Sequence, residues 1–485
     1  MTSFQIPRTI PLSLLICAVL AVSPLTYFSL TPGASFHDNQ RILQLVLLLI
    51  GALILLWRLA RHRADLQRPT GGAAIAIALF FGLGVVSSII AYSPRHALYE
   101  WSSFWLSLVL AALVATEIDR QDQDADKRIG AILMACGCAC VIYIFHALVI
   151  YVLALIGHIQ PDVQALTPGF DNFRFLNHVQ TISLPLLGLL TLRMHNPVYR
   201  GMWWRMTALW WMLLFVSGGR GAVVGVLAGV LVAGVLFRKS AWAWCRLMVL
   251  TGVAGLVAYL VLYVAVPWCF GLKPFGFLQE VAQRSLSDPA SGRLDLWKNA
   301  LGMIVDHPIF GIGPLHYAHF ARDAHTNAHP HNWVLQIGAE WGIPALLCMI
   351  AAVGFAFRRL WQARTSLAAD DANNQLMLVA LLGTGVAIVT DGLVSGLLVM
   401  PTSQLWIVLY LGCTWGWLRS LDKTRVHRVI GTPGVALVMV LTAIAVCQLL
   451  YAVFPEVLDI PAHEAAYRPP AREFFAPRLW RNGYF

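Results

Sequence analysis

Residues 329–342 read His-Pro-His-Asn-Trp-Val-Leu-Gln-Ile-Gly-Ala-Glu-Trp-Gly. Polar and ionisable groups open a run that is otherwise apolar. Such groups are costly in a membrane and mark function by default. A helix begun at 332 puts Asn332, Gln336 and Glu340 on one stripe. His331, Leu335, Gly338 and Gly342 fall on another, whose small residues allow close helix packing. Glu340 therefore faces away from His331 and is expected to brace a neighbouring helix. His331 sits at the helix mouth. An imidazole there suits proton transfer; the alternative is a satisfied interfacial histidine.

Arg220 is the sharpest single candidate for binding an anion. It stands in Ser217-Gly218-Gly219-Arg220-Gly221. The glycines permit a tight turn and close ligand approach. The helix that follows presents free N–H groups at its start. A guanidinium fork matches two phosphate or carboxylate oxygens. Arg293, in Ser291-Gly292-Arg293-Leu294-Asp295-Leu296-Trp297, is a second possible phosphate ligand, and Arg284 a third. Arg174 and His178 lie in a shorter loop, and Asp391 in the outer half of a helix. These three are rim candidates.

His316, His319, His325, His329 and His331 fall close together and invite a zinc reading. No cysteine is near, and Asp306 and Asp323 match no zinc spacing. No metal is expected. Cys136, Cys138 and Cys140 point in different directions on one helix and make poor joint ligands.

The elements that position these residues are apolar spans. The chain has 485 residues, 58% of them hydrophobic and 12% charged; a soluble protein has about 25% charged. Apolar runs near the length of a bilayer recur throughout. Thirteen spans are predicted, near 10–30, 42–58, 72–92, 98–116, 129–156, 179–194, 202–216, 221–237, 246–267, 332–356, 375–397, 402–418 and 433–453. With the N-terminus inside, 21 of the 34 basic residues fall on the inner side. The net charge of +10 is thus a positive-inside topology signal and not a nucleic-acid footprint. Four regions follow: helices with the Arg220 turn over 1–267, an outer loop over 268–331, further helices over 332–453, and a tail over 454–485 on the outer side. The polar groups converge on one face. A transporter would place them near the midplane.

Together these motifs resemble the O-antigen ligase and polymerase superfamily of bacterial envelope enzymes. The resemblance rests on His331-Asn332 with Gly342 and the intervening Glu340. It also rests on Arg220-Gly221-Ala222 and on Ser291-Gly292-Arg293, Trp297, His307-Pro308 and Gly311-Ile312-Gly313. It covers about residues 200–360 by motif. Two features depart from the ligase pattern: Ile343-Pro344-Ala345 follows Gly342, and thirteen spans exceed the usual twelve. The tail outside is a feature of the related protein O-oligosaccharyltransferases.

The resemblance implies an all-α polytopic membrane protein of 12–13 transmembrane helices, with one long periplasmic loop carrying short helices. It implies a glycosyltransferase of the inner membrane whose active site faces the periplasm. The donor would be a glycan on undecaprenyl diphosphate, and the acceptor a lipid A core sugar hydroxyl. No metal, nucleotide or other cofactor is implied, and no nucleic acid. In those terms His331 is the expected general base, and Arg220 and Arg293 bind the diphosphate. Asn332, Glu340, Arg284, Arg174, His178, Asp391 and His329 support them. A protein acceptor, a growing glycan or transport of a lipid-linked sugar are the competing readings.

Overall fold

The structure is a computed structural model that describes residues 11–61, 71–119, 125–276, 292–324, 326–368, 371–421, 431–467 and 476–485. Arg284, Ser291 and His325 lie outside the described residues. Within them the regular elements are helices, joined by a single isolated bridge between Ala476 and Asn482.

Nine helical runs among the described residues are long and apolar enough to cross a membrane. One of them, Arg220–Cys269, turns near Arg238 (φ 46°) into the helices Arg220–Phe237 and Trp242–Tyr259. Pro197–Ser217 and Pro401–Ser420 are of similar length and less apolar. The chain is an all-α polytopic membrane protein, as expected. The first span is shorter than the predicted 10–30. Its α-helix stops at Val22, and Ser23–Leu25 tightens into a 3-10 turn around Pro24, whose ring cannot continue the α-helical bonding.

The larger correction concerns 332–356, which is two helices and not one. Trp333–Trp341 ends at Gly342, and Ile343–Ser366 begins immediately after it. Gly342 has φ 87° and ψ 165°, a conformation open only to glycine. Its Cα lies against the Ile309 carbonyl and the Phe310 amide, with no room for a Cβ. Pro344 then starts the second helix, at a position where its missing N–H is no loss.

Local chemistry fixes the other ends that matter. Asn172, Asn196 and Asn332 each accept backbone N–H bonds at a helix start, the preferred N-cap role. Gly221, Gly225 and Gly229 form a small-residue stripe on Arg220–Phe237. It packs onto Ala372–Asp391, where a Cβ on Gly225 would stand 2.8 Å from the Ala387 carbonyl oxygen. Small residues let two membrane helices approach this closely. That contact carries Arg220 to the end of the bundle where Asp391 lies.

Residues 476–485 fold back onto the same end. Arg481 N–H donates to Asp38 Oδ1 at 2.7 Å, and Trp480 Nε1 donates to Glu456 Oε2 at 3.0 Å. Arg41 donates to the Arg478 and Leu479 carbonyls at 2.7 and 3.2 Å. The tail is thus held by helices Phe36–Ala60 and Thr432–Val457.

Candidate active site

His331 occupies a strained position. Its φ is 54°, left-handed and uncommon for a residue with a Cβ. Strain of this kind persists only where the surroundings over-determine it, and three contacts do so here. Asn332 caps the next helix, its Oδ1 accepting from Val334 and Leu335 N–H at 3.0 and 3.1 Å. Trp333 N–H donates to the Gly392 carbonyl at 2.9 Å. Trp297 Nε1 donates to the Pro330 carbonyl at 3.1 Å. The His331 ring is half-buried, 4.0 Å from the His329 ring and 3.4 Å from Asn327 Nδ2 at its Nε2.

Burial pushes the His331 pKa well below the usual value, and the charges of Arg293 and Arg174 push it further down. Burial does the same to His329. Both rings are therefore neutral at ordinary pH, and a neutral imidazole can accept a proton.

The cations stand around this ring. Arg293 opens the helix Arg293–Asp306, after Gly292 at φ 68°. Its charge reaches His331, His178 and Asp391. Arg174 lies in the first turn of Phe173–Arg193 and reaches His331 and His178. His178 is buried, and its Nδ1 has no hydrogen-bond partner among the described residues. Arg174 and His178 were expected at the rim, and the fold brings both into one electrostatic neighbourhood with His331 and Arg293.

Arg220 arrives from another side. It begins Arg220–Phe237, following the left-handed Gly218. A Cβ on Gly219 would meet Asn177 Cγ at 2.5 Å, and one on Gly221 would meet Asp391 Oδ1 at 2.5 Å. Asn177 Nδ2 also donates to Ser217 Oγ at 2.6 Å, and Thr181 Oγ1 donates to Asp391 Oδ2 at 2.7 Å. Asp391 is fully covered. It is a strut beneath the Arg220 turn, between that turn and the field of Arg293.

Glu340 has a partner that sequence reasoning missed. Its carboxylate meets Arg478 Nη2 at 2.9 and 2.7 Å, and it accepts the Tyr317 N–H at 3.1 Å. The same Nη2 meets both oxygens of Glu100 at 2.8 Å. Glu340 was expected to brace a neighbouring helix. It does meet Pro94–Ile118 through this shared guanidinium, but the bracing cation comes from the tail. Gln336, on the same stripe, also lies against the guanidinium: with its amide oxygen turned inward it accepts from Arg478 at 2.9 and 3.3 Å.

The histidine run divides. His316 accepts from the Ser93 N–H at 2.9 Å through Nε2, and its Nδ1 lies 2.9 Å from the Pro314 carbonyl. Burial pushes its pKa down to about 4. His319 Nδ1 lies 2.6 Å from the Phe485 oxygen, and its ring stacks on Tyr92 at 4.4 Å. These two hold the fold together. Among the described residues no three His, Cys, Asp or Glu side chains are grouped as metal ligands.

Arg293 and Arg174 act on a neutral imidazole, and Arg220 stands at the turn against Asp391, which the charge of Arg293 also reaches; such a set suits a substrate with a diphosphate beside a hydroxyl. Residues 206–350 match the family model described as O-antigen ligase. In that segment, less than a third of its length, the chain is similar to the O-antigen ligase family. The likeness points to glycosyl transfer of the ligase or polymerase kind. The matched segment contains Arg220, Arg293, His331, Asn332 and Glu340, while Arg174, His178, Asp391 and Arg478 lie beyond it. No curated protein matches the chain.

Proposed function

We propose that this protein moves an O-antigen-type glycan en bloc from undecaprenyl diphosphate to a sugar hydroxyl of the lipid A core. The reaction takes place at the periplasmic face of the bacterial inner membrane. The observation that carries the reading is the half-buried His331 ring, held at a left-handed backbone position inside the segment that matches the O-antigen ligase model.

His331 takes the proton of the acceptor hydroxyl as its oxygen attacks the anomeric carbon. The bond from that carbon to the diphosphate oxygen breaks, and the electron pair leaves with the diphosphate. Arg293 and Arg220 stabilise the charge that develops there, and Arg174 supports them at the rim. A single displacement inverts the anomeric centre. The two lipid-linked substrates meet in one cleft, which removes much of the entropic barrier. No step draws on a metal.

The test is a transfer assay with purified protein and undecaprenyl-diphosphate glycan. Rough lipopolysaccharide core and a pilin-like protein are offered as rival acceptors, with His331→Ala as control. Glycan on the lipid core, lost in the mutant, supports the reading. Glycan on protein, or longer glycan on the donor lipid, keeps the mechanism and reassigns the acceptor. No transfer to any acceptor overturns it.

A further inference from the structure

We propose that Arg478 is a positioning residue that sets the orientation of His331 from behind the site. The inference rests on the reading of His331 as the base. The guanidinium is 2% exposed. Besides Glu340 and Glu100, it donates from Nη1 to the Ala328 carbonyl at 3.3 Å. Ala328 lies three residues before His331, and Glu340 nine residues after it. One planar cation therefore grips both ends of the stretch that bears the base. Tyr484, in the same tail, donates to the Thr326 carbonyl and adds a second hold on the leading strand of the loop.

The anchor is itself fixed. Arg41 Nη2 spans the Arg478 carbonyl and the Val399 carbonyl, at 2.7 and 2.6 Å. Arg41 also feels the charges of Glu100 and Arg478. Two guanidinium groups and two carboxyl groups thus share one buried nest. The tail links this nest to the Thr432–Val457 helix through Trp480 and Glu456. A guanidinium matters here because Nη2 serves the two carboxyl groups while Nη1 reaches the Ala328 carbonyl, a spread that the point charge of a lysine does not reproduce. His331 keeps its left-handed backbone only while both ends of its stretch are held. A shift of its ring by a fraction of an ångström misaligns proton transfer.

The experiment compares Arg478→Gln and Arg478→Lys with the full-length parent in the same membranes. It reads kcat and donor KM for transfer, and the rate at which diethyl pyrocarbonate modifies His331, followed by mass spectrometry. Exposed His158 is the internal control. Arg478→Gln is expected to lower kcat by about tenfold or more with donor KM unchanged. It is expected to change the His331 modification rate and leave that of His158 alone. Arg478→Lys is expected to fall between the two. Parental kcat and parental His331 reactivity in an inserted Arg478→Gln protein would overturn the proposal. So would a fall in kcat that only tracks the folded fraction, with His331 reactivity unchanged. If the Gln variant does not insert, the Lys variant decides by the same two readings. Transfer retained by His331→Ala would remove the base reading alone, since the modification rate tests the positioning without it.

Discussion

Trp297 Nε1 donates to the Pro330 carbonyl at 3.1 Å. This bond joins the helix that begins at Arg293 to the residue before His331. It fixes the distance between a cation and the imidazole whose protonation that cation opposes. Trp297→Phe keeps an aromatic ring, smaller than the indole, and removes the donor. The lost bond costs about 1 kcal/mol. The expected outcome is a lower kcat with normal membrane insertion, measured in the transfer assay beside a thermal shift. An unchanged kcat would show that the 3.1 Å bond does not hold the pair in register.

The depressed pKa of His331 gives a signed pH dependence. Its ring stays neutral as pH falls past the range where an ordinary histidine protonates, near 6.5. Activity that needs the free base is lost only as pH drops through the folded value, so the acid limb of kcat/KM lies below 6.5. Burial is the largest cause and Arg293 the next. Arg293→Gln removes that charge, so the acid limb moves upward. It also raises donor KM by weakening diphosphate binding. A limb that stays in place in Arg293→Gln would separate this cation from the imidazole.

The helices and most of the candidate site were legible from the sequence, for different reasons. Hydropathy over a bilayer length reports helices directly, so the spans were readable. Arg220, Arg293 and His331 sit in short motifs whose glycines and polar residues interrupt apolar runs, and those interruptions are visible in one dimension. The break at Gly342 was not, because Gly-Ile-Pro inside an apolar stretch reads equally well as a continuing helix. Only the Ile309 carbonyl packed against Gly342 decides it. Arg478 was invisible for another reason. It stands 138 residues from Glu340 and 378 from Glu100, in a tail with no periodic pattern. Glu100 and Glu340, acids within apolar runs, were the available signs that a buried cation had to come from elsewhere.

Gly342 turns that missed break into a prediction. Its φ of 87° with ψ 165° lies in a region essentially reserved for glycine. Gly342→Ala adds backbone strain of about 1–3 kcal/mol and a collision with the Ile309 backbone. The variant should unfold at a lower temperature in detergent and lose transfer in step with the folded fraction. Parental thermal stability would mean that the two helices run on through 342 as one.

Gly221 tests the strut. A Cβ there would press on Asp391 Oδ1, while Thr181 holds the other carboxylate oxygen, Oδ2. Gly221→Ala should push Asp391 and the Arg220 turn apart. Donor KM is expected to rise more than kcat falls, because Arg220 serves the diphosphate. Thr181→Val removes one of the hydrogen bonds to Asp391, leaving that of Ser395, and should act in the same direction, more weakly. A kcat defect with normal KM in both would place this turn on the acceptor side of the cleft.

Asn332 separates capping from catalysis. Its Oδ1 accepts two backbone N–H bonds at the start of Trp333–Trp341, and it stands directly beside His331 in the chain. Asn332→Ala should cost about 1 kcal/mol of stability and loosen the first turn behind the imidazole. Asn332→Asp keeps an acceptor at the cap and should restore the thermal stability. If Asn332 only caps, Asp also restores transfer. If transfer stays low in a thermally restored Asp variant, the amide N–H₂ touches a substrate, and Asn332 joins His331 as a residue of the reacting centre.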